Sequence, residues 1–325
     1  MTEPGQRPSA SPRDADRTIA LLRQAVGASL ADRYRRGCVA HLPSLGDVVV
    51  AGDLHGNRIN FIRLLKVADL KHHPDRHLVL QEAVHGGPSS GGGGCLSYIL
   101  FEALAALKVR HPDRVHILIG NHEMAEHMEQ IIFKDGVVLN RAFDQGMTEA
   151  YGHRREEVRV WYRKFIESML AACRTEHRLF ISHSTPDGRW LPTFDLGLFD
   201  HPRLSDDFQR DSSLYNLIWG RDYRPETADG FAQLVEAEVF LVSHTPTPLG
   251  YEVPNHRHVI IQSYDDAGSY VLLPLDRPVS QAEIVASVRR VLTDRHPDDT
   301  VTLAKLDGEP QAEGFGSGET PEGSG

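Results

Sequence analysis

Cysteine is scarce and scattered. The 325 residues contain three, Cys38, Cys95 and Cys173. They are far apart, odd in number and without a C-x-x-C pair, which excludes a disulfide framework and fits a reducing compartment. Long apolar runs are missing too: none approaches the length needed to span a bilayer. Residues 1–16 are polar, contain proline and lack the apolar centre of a signal peptide. These absences predict a cytoplasmic protein with no membrane partner. Positive charge is also in deficit, with 35 Lys and Arg against 45 Asp and Glu and a net charge of −10. That balance argues against broad nucleic-acid binding, which relies on clustered cations. It leaves room for a phosphorylated substrate, because bound metal ions reverse the local field.

No internal repeat is visible. Residues 1–16 and 308–325 read as disordered tails, the second rich in Gly, Glu, Pro and Ser, so the folded domain is expected over 17–307. Within it, helical patterning covers 18–35, 61–68, 96–109, 157–173 and 280–292, with Ile19, Leu21, Leu22, Val26, Leu30 and Tyr34 on one side of the first. Strand-like runs lead to Asp53, cover 77–80 and end at Gly120, and recur at 178–182, 238–243, 258–263 and 270–275. Residues 86–94 form a Gly/Ser/Pro loop. Helices alternating with strands, followed by closely spaced strands, predict a mixed α/β architecture with packed sheets.

Two segments stand out. Gly52-Asp53-Leu54-His55-Gly56-Asn57 and Gly120-Asn121-His122-Glu123 each follow a β-like apolar run. Both therefore place metal-capable side chains at the C-terminal edge of a sheet, where ligands of α/β proteins bind. Asp, His and Asn offer oxygen and nitrogen donors suited to Mn, Fe or Zn, and a metal held there can activate water. Each segment also has a plainer reading. Asp53 fits a tight strand-to-helix turn as a cap, and Asn121-His122-Glu123 fits a helix start. Glu82 ends the second strand, as a metal-bridging carboxylate or an ordinary solvated one. His183 and His244 end two later strand-like runs, each with Thr-Pro nearby (Thr185-Pro186 and Thr245-Pro246). A single histidine in such a place is commonly structural; two in matching contexts favour a shared metal site.

The ordered series resembles the calcineurin-like metallophosphoesterases, most closely the phosphoprotein (Ser/Thr) phosphatase branch. That branch carries GD-x-H-G, GD-x-x-D-R-G, G-N-H-E and two later strand-end histidines. Gly52–Gly56 and Gly120–Glu123 match the first and third motifs, and His183 and His244 fit the histidines. Leu217-Ile218-Trp219 and Gly250-Tyr251-Glu252 resemble further family segments, so the likeness extends from about Val48 to Leu275. It implies an α/β (α+β) fold, a four-layer metallophosphatase sandwich of two mixed β-sheets flanked by helices. It also implies two divalent metal ions (Mn, Fe or Zn), one held by Asp53, His55 and Glu82 and the other by Glu82, Asn121, His183 and His244. A water or hydroxide bridging them would attack phosphorus while His122 protonates the leaving group.

The second motif departs from the family. Gln81-Glu82-Ala83-Val84-His85-Gly86-Gly87 has Glu82 for the bridging Asp, His85 for the Asp that orients the acid, and Gly86 for a phosphate-gripping Arg. A His–His pair favours an imidazolium less than a His–Asp pair does, which predicts weaker acid help or a further partner. Glu123 is expected to orient the loop or cap a helix. The glycine-rich loop after Gly86 could give backbone N–H donors to phosphate or be a plain surface loop. Arg221 and Arg224 are candidate phosphate clamps, or surface residues paired with Asp222 or Glu226. The expected substrate is a phosphorylated protein or a small phosphoester such as a dinucleoside polyphosphate. The competing class is a non-catalytic metal- or phosphate-binding regulator.

Overall fold

The computed structural model describes residues 13–134, 136–203 and 205–292. The chain begins with α1 (Ala15–Leu30), β1 (Arg35–Arg36), β2 (Val39–Leu42), β3 (Asp47–Asp53), α2 (Arg58–Ala68), β4 (Arg76–Gln81), α3 (Tyr98–Arg110) and β5 (Val115–Leu118). It continues through α4 (Asn121–His127), the hairpin β6 (Phe133–Lys134) and β7 (Val137–Val138), α5 (Leu139–Tyr151), α6 (Arg155–Ser168), β8 (Ala172–Thr175) and β9 (Leu179–Ser182). It closes with α7 (Ser213–Trp219), α8 (Pro225–Val235), β10 (Val239–Val242), β11 (Tyr251–Glu252), β12 (His258–Ile261), β13 (Ser269–Pro274), α9 (Gln281–Ser287) and β14 (Arg289–Arg290).

Two mixed sheets form the centre. One runs β14-β13-β3-β4-β5, with β3, β4 and β5 parallel; the other runs β1-β2-β8-β9-β10-β12-β11, with β9, β10 and β12 parallel. Side chains alternate across a strand. Val48 and Val50, Leu179 and Ile181, Val239 and Leu241, Val259 and Ile261, and Val271 and Leu273 therefore meet in one buried cluster between the sheets. Each such aliphatic contributes about 1.5–3 kcal/mol on burial. The other face of the first sheet is covered by α2 and α3, and α1 packs on α3 and α6. Strands buried on both faces read as unbroken apolar runs, which is why Val48-Val49-Val50-Ala51 shows no polar alternation.

The tail expected at 308–325 lies outside the described residues, as do residues 1–12. Ala15 and Asp16, expected in the N-terminal tail, already belong to α1, which Asp14 caps by accepting from Arg17 N. Its buried face is Ala15, Thr18, Leu22, Ala25 and Ser29, while Leu30 is exposed. The helix stops five residues before the expected end because Asp32 is buried against Lys108 and Gly37 (φ +56°) turns the chain into a β1–β2 hairpin. The helix expected to reach 173 ends at Ser168: Met169 is extended, and 172–175 pair in a sheet. No helix among the described residues is long and apolar enough to cross a membrane.

Candidate metal centre

Five strands deliver the site. Asp53 ends β3, Glu82 follows β4, Asn121 follows β5, His183 follows β9 and His244 follows β10. The sheets join at this edge: Asp53 O accepts from Ser263 N at 3.0 Å, and Asp53 N donates to Ser243 Oγ at 2.9 Å. Several of these residues leave their strands in left-handed backbone conformation, with φ of +40° at His55, +50° at Glu82, +60° at His85 and +64° at His244. This region disfavours side chains by about 1–2 kcal/mol per residue, and the surrounding packing sustains it because it turns each side chain inward.

His183 sits at the centre. Gln81 donates from Nε2 to Ala51 O, so its Oε1 is left to accept from His183 Nδ1 at 2.9 Å. That fixes the tautomer and aims the lone pair of His183 Nε2 at Asn121 Oδ1 (3.0 Å), His244 Nδ1 (3.2 Å) and Glu82 Oε2 (3.5 Å). His244 Nδ1 lies 2.8 Å from Asn121 Oδ1. Burial holds both rings down at a pKa of about 3, so they are neutral, the form that ligates metal. On the other side His55, Glu82 and His122 bring ligand atoms within 4.8 Å of one another, and Asp53 Oδ2 is 4.0 Å from His55 Nε2. His55 donates from Nδ1 to His85 O at 3.1 Å.

A cation would relieve the buried carboxylates. Glu82 is 1 % exposed and Asp53 4 %, and among the described residues neither forms an ion pair with Lys or Arg. Burial, with Glu123 and Asp53 nearby, pushes Glu82 well above the usual carboxylate range. Burying unpaired carboxylates is costly, and a bound divalent ion removes that cost. Gly120 makes the space: a Cβ there would lie 1.4 Å from Glu82 Oε2. The residues fit a metal with one adjustment. Arg221 Nε donates to His244 Nε2 at 2.9 Å, which leaves the neutral ring's proton on Nδ1, so ligation through Nδ1 requires that bond to give way.

The remaining predicted residues separate. Glu123 accepts from Ala83 N (2.7 Å), Val84 N (3.0 Å) and Gly120 N (3.2 Å), tying the β4 loop to the start of α4. His85 lies behind His122, ring nitrogen to ring nitrogen at 3.1 Å. Arg224 forms a two-pronged pair with Asp222 at 2.8 and 2.7 Å. Arg221, Trp219, Asp222 and Arg224 line an open groove of about 480 Å³ beside His244. A more enclosed pocket, about 330 Å³ around Arg33, His77 and Arg114, contains none of the site residues. The glycine-rich loop is partly closed on itself: Ser90 N and Gly93 N bond carbonyls within it, and Gly94 N bonds Ser90 Oγ. Gly86 (φ +97°) lets that loop touch the β3 loop, its absent Cβ falling 2.9 Å from His55 O.

A family model described as calcineurin-like phosphoesterase matches residues 46–275. The chain belongs to this family. It is a metal-dependent phosphoesterase with the metallophosphatase fold. A search of curated proteins gave no match by sequence. Among solved structures, it resembles a protein serine/threonine phosphatase from Saccharomyces cerevisiae with similarity to human phosphatase PP5. The TM-score is 0.64 and the identity 17 %, over 88 % of this chain and 92 % of that one. A mutant cold-active protein tyrosine phosphatase aligns with TM-score 0.51 and 13 % identity, over 74 % of this chain and 78 % of that one.

Three contributors escaped the sequence reading. Gln81 adjoins Glu82 but gives no ligand signal of its own. Glu126 stands four residues after His122 on α4, a spacing that puts both on one helix face. Lys134, on the β6–β7 hairpin, places its ammonium 6.0 Å from the ring of Tyr264, which packs on His55.

Proposed function

We propose that this phosphoesterase hydrolyses phosphate monoesters on proteins. In this reading Asp53, His55 and Glu82 hold one divalent cation, and Glu82, Asn121, His183 and His244 hold a second. The observation that carries it is the His183 ring, its tautomer set by Gln81 and its lone pair aimed at Asn121 and His244. The metals, when bound, activate water for attack on phosphorus and offset charge on the phosphoryl oxygens. His122 presents Nε2 to the same space, 3.8 Å from Glu82 Oε1, and gives the proton to the leaving oxygen. Arg221, released from His244, binds phosphoryl oxygens through its planar fork. Lys134 supplies positive charge on the side where Gly86 offers none. The openness of the groove beside Trp219 and Arg221 suits a side chain on a protein better than an enclosed small molecule.

The test combines metal content with hydrolysis of an aryl phosphate after manganese reconstitution, followed by phosphoserine, phosphothreonine and phosphotyrosine peptides set against dinucleoside polyphosphates. About two metals per chain and metal-dependent turnover are expected. His122→Ala should keep the metals and lose on the order of 10²-fold or more in kcat. Metal binding with a wild type as inert as the variant on every ester would favour a regulator; preference for the nucleotides would replace the protein substrate.

A further inference from the structure

The acid His122 is backed by a chain of three side chains. Its Nδ1 faces Nδ1 of His85 at 3.1 Å, and Nε2 of His85 faces Glu126 Oε1 at 2.7 Å. All three are buried, at 8 %, 1 % and 7 % exposure. Each position is built. The left-handed backbone of residue 85 turns its ring under His122, His85 N donates to Ser97 Oγ at 3.0 Å, and Phe143 packs edge-on at 5.7 Å. Glu126 also accepts from Asn140 Nδ2 at 2.8 Å, and Arg159 lies 3.7 Å from its second oxygen.

The order of protons along this chain follows from donor and acceptor chemistry. A carboxylate only accepts, so the proton of neutral His85 sits on Nε2, pointing at Glu126. His85 Nδ1 is then a lone pair and accepts from His122 Nδ1–H. That leaves His122 Nε2 as the nitrogen that faces the metal-binding residues, a lone pair in the neutral ring and the site of the transferable proton when a second proton makes the ring an imidazolium. The carboxylate that the family motif would set directly against the acid has moved one imidazole further away, onto the helix that carries the acid itself.

We propose that Glu126, acting through His85, is the positioning residue that fixes the orientation and tautomer of His122 for proton transfer to the leaving group. This rests on the reading of His122 as the acid. As the P–O bond breaks, its electron pair stays with the leaving oxygen. The His122 Nε2–H bond breaks and its proton joins that oxygen. His122 returns to the neutral Nδ1–H form, and water restores the Nε2 proton. No proton has to travel along the relay.

The decisive experiment compares phenyl phosphate, whose leaving group needs a proton, with p-nitrophenyl phosphate, whose leaving group does not. Manganese-reconstituted Glu126→Gln should lose on the order of 10²-fold in kcat on the first, the scale of general-acid help, with KM held and the second ester little changed. The double variant Glu126→Gln with His85→Asp, which returns a carboxylate to the side of His122, should recover most of the loss. Equal losses on both esters, or no recovery in the double variant, would assign Glu126 to Asn140 and Arg159 alone and overturn the proposal. Nitrogen-15 histidine spectra of the metal-free wild type give a reading independent of turnover: the ring proton is expected on Nε2 of His85 and Nδ1 of His122, and the reverse order overturns the relay. If the wild type cleaves neither ester, the phosphoesterase reading itself fails, and the relay loses its task even with the protons placed as expected.

Discussion

Arg221 and His244 share a hydrogen bond, Nε to Nε2 at 2.9 Å, that sets a candidate phosphate clamp against a candidate metal ligand. The same imidazole cannot accept from Arg221 and keep its proton on Nε2 while Nδ1 ligates. Metal loading and release of the guanidinium are therefore linked. Arg221→Ala should bind manganese at least as tightly as wild type in calorimetric titration, while KM for a phosphopeptide rises about tenfold with loss of a charge-assisted contact of roughly 1.5 kcal/mol. Weaker manganese binding in the variant would remove this link.

In the proposed centre Gln81 would act on the metal without touching it. Gln81→Leu frees His183 Nδ1 from its acceptor and lets the ring adopt the wrong tautomer. Loss of such an outer partner costs about 10–100-fold in metal affinity, measurable by the same titration. An unchanged affinity would mean that packing alone holds the ring.

Gly120 is required for its lack of a side chain. In Gly120→Ala the added methyl would occupy the place of Glu82 Oε2. Overpacking costs about 1–3 kcal/mol, or Glu82 must turn out of the site. Urea unfolding separates these outcomes: either the midpoint falls or metal stoichiometry drops, and a variant normal in both would contradict the geometry.

Stability should fall in acid through buried neutral histidines. Burial holds His77 and His258 down at about 3, whereas in the unfolded chain they titrate near 6.5. The unfolded state therefore binds more protons between those values. Their contribution is complete above about pH 6.5 and is lost as the pH drops, by up to about 1.4 kcal/mol per unit for each ring. Urea midpoints at pH 7.5, 6 and 5 should decline, and His77→Asn should decline less steeply. An identical slope in the variant would rule out His77 as a source.

Much of the candidate centre was legible because its donor residues sit in short motifs at strand ends. Asp53, His55, Asn121 and His122 are readable from their immediate neighbours, since an apolar run followed by Gly and donor residues marks a buried strand that opens into a polar turn. Glu82 and His85 were placed by their order within a motif they do not fully match. Arg221 and Arg224 stand three residues apart and line one groove, but their partners differ: one bonds His244, the other is captured by Asp222 two residues before it. For the glycine-rich loop the plain surface-loop reading outweighs the phosphate cradle, and in the structure the N–H groups of Ser90, Gly93 and Gly94 bond within the loop.

The sequence by itself determined the types of donor, their order and the strands that carry them, because those depend on composition and on contacts a few residues apart. Only the tertiary structure decided which donors face one another. Gln81 meets His183 across 102 positions, and His85 meets Glu126 across 41. Such pairings follow from the order of strands in two sheets and from left-handed turns at their ends, which set side-chain directions that no local propensity encodes.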